Sequence, residues 1–454
     1  MDTLGTHKEE SIQEHKKTKW IPNKLTRKDV KFATWIAFIA WVLAVYDFIL
    51  FGTLLPQMGN EYGWSEIEQA KIATWVAVGG AIVAFAIGPI VDRMGRKPGL
   101  IFTVGGAGLC SLFTAFGAGL GKGPLTIIRS VAGLGYAEQT VNATYLTEMY
   151  AAVDDPELQK KKGFIYSLVQ GGWPIGALIA AGITAILLPI VGWQGNFIFA
   201  AIPSFILIFF ALKLKETPQF QVHKRIRELR DAGDDTSAKS LAIEHKVDYA
   251  EHESAGIAAA FKGTSLRATL VLGGAVLLNW FAIQVFSVLG TTVLTRVHGV
   301  SFENSLIILV ASNLLGYLGY MSHGWLGDKI GRRNTIAIGW ALGGIAFTGM
   351  LYGPSNQLAV VALYGLGLFF LIGPYAAALF FISESFPTSI RATAGAIVNA
   401  MGPVGAIFAS LGSTAVLSSG GDWQTSAFLF GSIPCFLSGL LILFARHVDP
   451  ASVK

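Results

Sequence analysis

Three charged residues lie inside long apolar stretches of the sequence. Carboxyl groups in such surroundings could bind and release protons. Asp47 lies within VLAVYDFILFG, residues 42–52, and Arg129 and Glu138 lie within a second apolar stretch. An ionised side chain at the centre of a bilayer costs about 2.5–3.5 kcal/mol, so each group needs a partner, a proton or a water-filled cavity. Burial favours the protonated form of a carboxyl group, and a neighbouring guanidinium favours the ionised form. A contact between Asp47 and Arg129 would therefore couple proton binding to movement of either residue.

A purely structural role for these charges remains an alternative. An ion pair between Asp47 and Arg129 could simply hold two helices together. Arg129 and Glu138 are nine positions apart, which places them on nearly opposite faces of a helix, so we do not expect them to pair. We predict that Asp47, Arg129 and Glu138 couple protons, with Glu138 as either a second proton site or part of a substrate pocket.

The composition places these residues in a membrane protein. Hydrophobic residues make up 52% of the 454 positions and charged residues only 14%, which is not the balance of a soluble globular chain. A bilayer core about 30 Å thick requires roughly 20 apolar residues per helix. Residues 163–212 and 334–383 contain no Asp, Glu, Lys or Arg. Each of these windows is long enough for a hairpin of two spans.

Twelve membrane-spanning helices are predicted on this basis, so we expect an all-α membrane protein. If the amino terminus is cytoplasmic, the inside segments hold 30 of the 34 Lys and Arg residues, which places both termini in the cytoplasm. We therefore expect a multi-pass protein of the plasma or inner membrane. The predicted spans cover residues 33–56, 72–91, 98–120, 125–147, 163–188, 194–212, 268–290, 304–325, 334–352, 357–382, 392–416 and 424–446.

The spans divide the chain into five predicted regions. The linker contains QFQVHKRIRELRDAG, in which Val222, Ile226 and Leu229 recur at helical spacing among basic residues. This pattern predicts an amphipathic helix on the cytoplasmic surface. The regions are a basic tail, residues 1–32; a first six-helix bundle, 33–212; the linker, 213–267; a second six-helix bundle, 268–446; and a short tail, 447–454.

The two predicted bundles repeat one plan. GPIVDRMGRK at 88–97 and GWLGDKIGRR at 324–333 are offset by 236 residues, and the same offset carries Glu148 onto Glu384. The loop motif and the glutamate thus recur at the same offset, which indicates an internal repeat. The charges in the membrane do not follow it, because the offset carries them onto Ile283, Gly365 and Pro374.

These residues resemble those of a known family. The two repeated loops are similar to the signature loops of the major facilitator superfamily, which follow its second and eighth helices. YLTEM, KETPQF and SESFPTSIRATAGAI resemble the sugar-porter and organic-ion branches, and YDFILFGTLLP resembles the metabolite:proton and aromatic-acid:proton symporters. The resemblance covers essentially the whole chain. It implies two pseudo-symmetric bundles around a midplane substrate site, with Asp47 and the Arg129 of an RxxxGxG pattern coupling protons to transport.

The resemblance also implies gating residues at the cytoplasmic ends of the helices. Ion pairs there would act as latches that exist while the cytoplasmic face is closed. Two such pairs are predicted, namely Glu148 with Arg391 or Arg96, and Glu384 with Lys162 or Arg332. The predicted gating residues are Asp92, Arg93, Arg96, Glu148, Asp328, Arg332, Glu384 and Arg391.

Polar and aromatic residues in the spans predict a substrate pocket. A lone Asn in a span is more often an interhelical contact, but as a group these side chains favour a pocket. GGWPIG at 171–176 has a glycine spacing that is typical of close helix packing, and GPVGA at 402–406 is a similar motif. The predicted substrate-binding residues are Arg129, Tyr46, Gln170, Trp173, Asn279, Gln284, Asn313, Tyr317, Tyr375 and Asn399.

The function predicted from these features is proton-coupled uptake of a small organic acid. Arg129 is the one deep cation in the sequence and could bind a carboxylate with two hydrogen bonds. A sugar or polyol symporter, a drug efflux antiporter and a nutrient receptor are the alternatives. HExxH, GxSxG and GxxxxGKS do not occur, so no enzyme, cofactor or metal site is predicted. We expect a monomer whose partners are lipid, substrate and protons, without nucleic acid.

Overall fold

The computed structural model describes residues 21–245, 260–354, 356–386 and 391–446. The regular elements in these ranges are helices. Residues 1–20 and 447–454 of the predicted tails, and residues 246–259 of the predicted linker, lie outside the described residues.

The first half begins with a long helix whose start is capped from both sides. Thr26 Oγ1 accepts a hydrogen bond from the Asp29 amide at 3.3 Å, and the Asp29 carboxylate accepts one from the Thr26 amide at 2.8 Å. This capping box satisfies amides that have no partner inside the helix. The helices are α1 (Arg27–Tyr62), α2 (Glu66–Met94), α3 (Arg96–Gly117), α4 (Lys122–Val131), α5 (Leu134–Ala151), α6 (Pro156–Gln170) and α7 (Gly172–Ala211).

The linker and the second half are also helical. Two segments, Ile283–Val288 and Phe428–Ser432, have π-helical geometry. The helices are α8 (Pro218–Asp231), α9 (Asp235–Glu244), α10 (Gly263–Ala282), α11 (Gly290–His298), α12 (Phe302–Ile330), α13 (Arg332–Tyr352), α14 (Gln357–Ile372), α15 (Tyr375–Glu384), α16 (Arg391–Ser418), α17 (Trp423–Ala427) and α18 (Ile433–Ile442).

Ten helical stretches among the described residues are long and apolar enough to cross a membrane. The fourth predicted span, 125–147, is not one of them, because Arg129, Glu138 and neighbouring amide side chains make it less apolar than the other spans. It also contains a turn at residues 132–133, between α4 and α5. The fifth and sixth predicted spans form one stretch, Leu168–Ala211, which is interrupted where Gly192 has φ 67°. Each of the other predicted spans overlaps a stretch of its own.

The two halves are joined at one end of the helices more than at the other. We call the end that carries Thr26 the proximal end and the end that carries Ser65 the distal end. A large apolar cluster contains residues of both halves, and its first-half members extend from the middle of the helices, as at Trp41, to the distal end, as at Trp64. A separate cluster, which includes Val30 and Tyr145, contains proximal residues of the first half alone. Between the halves, α2 packs against α16, α7 against α12 and α1 against α11.

A repeated glycine turn connects α2 to α3 and α12 to α13. Gly95 has φ 113° and Gly331 has φ 84°, a region that side chains with a Cβ rarely adopt. The two positions are 236 residues apart. The repeated loop motif therefore has a backbone cause, since both turns need a residue without a side chain.

The described part of the linker forms a small helical pair. α8 follows Thr217, whose hydroxyl accepts the Phe220 amide at 3.3 Å. Apolar residues of the segment with helical spacing, including Val222 and Ile226, pack against Ala238 and Ala242 of α9. The apolar face of α8 is thus covered by its own neighbour.

Candidate functional site

Asp47 and Arg129 form a buried ion pair between α1 and α4. Arg129 Nη1 donates to Asp47 Oδ1 at 3.2 Å, and Nη2 donates to Oδ2 at 3.2 Å. Nη2 also donates to the backbone carbonyl of Asp47 at 3.1 Å. Only 5% of Asp47 and 4% of Arg129 are exposed. The paired geometry is the one in which a guanidinium holds a carboxylate most strongly.

Further contacts hold both members of this pair. The Ser111 hydroxyl of α3 donates to Asp47 Oδ1. The guanidinium of Arg129 lies 5.1 Å from the Phe51 ring and 5.5 Å from the Phe197 ring, a distance at which a cation and an aromatic face attract. Arg129 Nε is buried and has no hydrogen-bond partner among the described residues. Arg129 therefore retains a donor that an added acceptor could use.

The break between α4 and α5 positions Arg129. Arg129 lies in the last turn of α4, where the helix dipole favours a cation. At the break, a Cβ on Gly133 would lie 2.5 Å from the Cα of Gly80 in α2. The glycine that follows Arg129 by four positions thus permits α2 to approach the chain closely just beyond the end of α4.

A cavity of about 60 Å³ lies between the halves, with Arg129 in its wall. This volume has room for a few water molecules. Asp47 is not among its described lining residues, so Arg129 separates the aspartate from the cavity. The lining residues are Phe48, Phe51, Gly52, Leu55, Ala73, Val76, Ala77, Gly80, Ala81, Arg129, Ala132, Gly133, Tyr136, Trp280, Gln284, Val288, Leu289, Pro403 and Ala406.

Glu138 lies away from this cavity, fully buried in α5. Its Oε1 accepts a hydrogen bond from Asn142 Nδ2 at 3.0 Å, and that amide also donates to the Ala37 carbonyl at 2.7 Å. Glu138 Oε2 has no partner among the described residues. The carboxyl group is thus held by one neutral amide, in contrast to the charged partner of Asp47.

Three other predicted first-half residues do not contribute to the cavity wall. Gln170 accepts from Gln139 Nε2 at 3.0 Å and donates to the Tyr166 hydroxyl at 2.9 Å. Trp173 is a neighbour of aromatic rings that do line the cavity. The hydroxyl of Tyr46, a residue that is 1% exposed, has no hydrogen-bond partner among the described residues. In this conformation none of the three lines the cavity.

The predicted polar residues of the second half separate into two groups. Gln284 lines the cavity, and the Tyr375 hydroxyl donates to Asn279 Oδ1 at 2.9 Å nearby in α10. Asn313 instead donates to the Leu309 carbonyl of its own helix at 2.9 Å. Of the remaining two, Tyr317 is half-buried and Asn399 is exposed. Neither Asn313, Tyr317 nor Asn399 lines the cavity.

The predicted gating residues form one ion pair in each half. Arg96 Nε lies 3.0 Å from Glu148 Oε1, and Arg332 pairs with Glu384. Each acid was predicted to pair with a cation of its own half or with one of the other half, and the structure shows the pair within its own half. Arg93 and Asp328 are exposed. The side chains of Asp92, Lys162 and Arg391 lie outside the described residues.

The first-half pair is surrounded by a wider network. The Thr217 hydroxyl donates to Glu148 Oε2, and the Glu216 carboxylate accepts the backbone amides of Arg96 and Lys97 at 3.2 and 3.4 Å. Burial raises the pKa of Glu216, and the nearby Glu148 raises it further, while the backbone amides oppose the shift. The loop after α7 thus anchors the turn between α2 and α3.

Sequence reasoning missed the aromatic residues and the hydroxyl around this site. Phe48, Tyr136 and Trp280 line the cavity, and Ser111 bonds Asp47. Aromatic and small residues are common throughout membrane helices, so their types alone do not mark them. Tyr136 lies next to Gly135 of the RxxxGxG pattern, and that proximity was the one available signal. Among the described residues, no cluster of His, Cys, Asp or Glu is arranged to hold a metal ion.

The chain matches known proteins along most of its length. A family model described as Major Facilitator Superfamily matches residues 32–379 and 272–454. The gallate transporter of Pseudomonas putida is 25% identical over 449 residues, which cover 94% of this chain and 94% of that protein. The cis,cis-muconate transport protein of Acinetobacter baylyi is 25% identical over 433 residues, which cover 92% of this chain and 96% of that protein.

A solved structure has the same fold. The inward open conformation of the xylose transporter XylE from E. coli superposes with a TM-score of 0.68 at 17% identity, covering 93% of this chain and 98% of that chain. At this identity the likeness concerns the fold alone.

Proposed function

The chain belongs to the Major Facilitator Superfamily, and we propose that it takes up a small organic acid together with protons by alternating access. It is a transporter of the cell membrane rather than an enzyme. The observation that carries the proposal is the buried pair of Asp47 and Arg129, in which Arg129 lines a cavity between the halves and Asp47 does not.

Arg129 is suited to bind the substrate carboxylate. It is the one cation among the described residues that line the cavity, and its Nε has no partner among the described residues. A carboxylate is the acceptor that a guanidinium binds most strongly. Gallate and cis,cis-muconate, which name two relatives, are both carboxylates. These points favour an organic acid over the sugar alternative.

Proton coupling follows from competition for Arg129. A substrate carboxylate on the guanidinium would weaken its contact with Asp47. A carboxyl group that loses its cation in an apolar site is held as the neutral acid, because burial disfavours the charged form. Substrate and proton would therefore bind together and leave together. Glu138 is the second proton site of this proposal, since it too is buried in the first half.

The proposed topology has twelve spans and cytoplasmic termini, with residues 33–212 and 268–446 as the two bundles. The fourth span, which Arg129 and Glu138 make less apolar, and the division of Leu168–Ala211 at Gly192 account for the difference between ten stretches and twelve spans. The distal end then faces outward. Since the apolar core joins the halves at that end, the conformation would be inward-facing. Arg96–Glu148 and Arg332–Glu384 are formed in it within single halves, so the two acids would act as gating residues by exchanging these partners for cations of the other half when the cytoplasmic face closes. We further propose that the protein is a monomer.

Reconstitution into vesicles tests this function. Under an imposed proton gradient, the wild type is expected to accumulate gallate or another small carboxylic acid. Asp47→Asn should abolish accumulation but leave counterflow exchange of the same acid, because the amide cannot carry the proton. Glu138→Gln, the same acid-to-amide change at a second buried position, should reduce accumulation less.

Two results would contradict the proposal. Normal accumulation by Asp47→Asn would remove Asp47 from proton coupling. Proton-dependent uptake of neutral sugars, without competition from organic acids, would replace the acid with a sugar.

A further inference from the structure

Four aromatic rings meet where the two halves face each other. Tyr136 of α5 and Trp280 of α10 are 5.2 Å apart between ring centroids, at an interplanar angle of 84°. Trp173 of α7 lies 5.7 Å from Trp280 at 75°. Phe48 of α1 is 6.0 Å from both Tyr136 and Trp173. The second half contributes Trp280 to this cluster, and the first half contributes the other three rings.

Trp280 is held in position from behind by α16. A Cβ on Gly402 would lie 2.8 Å from the indole ring, and a Cβ on Gly405 would lie 3.0 Å from the Trp280 Cβ. The two glycines of the GPVGA motif thus leave the space in which the indole sits. Trp280 is only 6% exposed, so its position is set by packing on both sides.

The front of this cluster forms one side of the cavity. Phe48, Tyr136 and Trp280 all line it, and Arg129 lies in the same wall. A ligand whose carboxylate binds Arg129 would therefore have the rest of its body beside these rings. Aromatic rings attract a flat conjugated partner in offset or edge-to-face geometry. A saturated partner carries hydrogens above and below its plane and lacks the π faces needed for this attraction.

We infer that Trp280 is a specificity-determining residue, which selects a planar conjugated carboxylate over a saturated one of equal charge. This inference rests on the proposed function, because it requires an acid in the cavity. Trp280 also touches first-half rings directly, so a ligand ring beside it becomes part of the contact between the halves. Gly402 and Gly405 act as positioning residues for the indole.

Matched pairs of acids test the inference. Benzoate and cyclohexanecarboxylate have the same charge and carbon number, as do cis,cis-muconate and adipate, and in each pair one member is flat. Dissociation constants would be measured by calorimetry on purified protein. The wild type is expected to bind the flat member roughly three- to tenfold more tightly, the worth of one aromatic contact. Trp280→Leu should bring that ratio close to one, whereas Trp280→Phe should retain most of it.

Two further variants control for folding and for a general effect of losing tryptophan. Trp35→Leu makes the same change at a side chain that is 66% exposed and should leave the ratio unchanged. Gly402→Ala displaces the indole from behind without altering it and should lower the ratio. It therefore tests the inference even if Trp280→Leu does not fold.

The outcomes separate the inference from the proposed function. Equal binding of both members of each pair by the wild type overturns the inference and leaves an organic acid as substrate. A ratio that persists in Trp280→Leu and Gly402→Ala also overturns it. Binding of none of the four acids overturns the proposed function, and the inference with it.

Discussion

The two halves of the molecule carry matching residues at their proximal ends but different residues at the centres of their helices. The pair of Arg96 with Glu148 recurs as Arg332 with Glu384, displaced by 236 residues. The glycine turns beside these pairs recur with the same displacement. Both halves must make the same tight turn and fasten it, so the duplicated scaffold retains these residues.

At the centre the correspondence ends. Asp47 and Arg129 face each other in the first half, and the equivalent positions in the second half are Ile283 and Gly365. The chain at Ile283 enters the π-helical segment that carries Gln284 to the cavity. A charge in the bilayer is costly, and its presence at these positions in one half alone shows that the shared scaffold does not require it.

The largest effect is expected from Arg129→Ala, which tests whether the first-half charges act as one unit. Removing one member of a buried pair costs about 3–5 kcal/mol, because Asp47 would remain buried without its cation. The double variant Asp47→Asn/Arg129→Gln removes both charges and should recover at least half of that loss. Thermal unfolding of the purified protein in detergent measures the stability loss of the single variant and of the double variant.

An equal loss in the single and double variants would contradict this prediction. The cost would then arise from packing against Phe51 and Phe197 rather than from the unpaired charge.

A smaller effect is expected where the halves correspond, at Glu148 and Glu384, the acids of the two proposed latches. Glu148→Gln should cost about 2.5 kcal/mol and Glu384→Gln about 1.5 kcal/mol, both within the range of hydrogen bonds to charged groups. Glu148 binds Arg96 and Thr217, whereas Glu384 Oε2 has no partner among the described residues. The loss in stability would be measured by thermal unfolding.

Glu157→Gln provides the control for the latches, since the Glu157 side chain pairs with Arg27 but is 70% exposed. It should change stability very little. A larger loss for Glu384→Gln than for Glu148→Gln would reverse the expected difference between the halves.

The smallest effect is expected at the distal ion pair that joins the halves. Arg296 Nε lies 3.2 Å from Glu66 Oε1, and both side chains are more than one third exposed. Such pairs contribute about 0.2–1 kcal/mol, so Glu66→Gln should open the distal end only slightly. With Thr53→Cys as a reporter, which is 1% exposed in the native protein, thiol labelling should quicken about twofold, the change that corresponds to this energy.

Glu68→Gln is the matched control for the distal pair. Glu68 pairs with Lys122 inside the first half, so its loss should leave the labelling rate unchanged. Equal acceleration by both changes would show that surface charge, and not the contact between the halves, controls labelling.

Much of the fold could be predicted because hydropathy is a property of each segment. Nine predicted spans overlap separate stretches of the structure. The fourth span is not among them, because Arg129 and Glu138 make it less apolar than the others. The close approach of Gly133 to Gly80 of another helix is a contact that no local pattern reports. The partnership of Asp47 and Arg129 could be anticipated for a similar reason, since a charge in lipid requires a partner wherever it lies.

The rest of the site could not be read from residue types. Asn313 has the residue type of a pocket residue, but it donates a hydrogen bond to a carbonyl of its own helix. Ser111 has a residue type common in membrane helices, but its hydroxyl donates a hydrogen bond to Asp47. Trp280 is one of 11 tryptophans, and only its neighbours distinguish it.

The sequence by itself determined that this chain is a helical membrane protein built from a repeated unit, with charges in one half that must be compensated. The tertiary structure decided which side chains share the cavity, that Arg129 stands between it and Asp47, and that rings of both halves meet at Trp280. The physical reason is that transfer to lipid depends on each residue alone. Contact across helices depends on their rotation and depth, which packing sets.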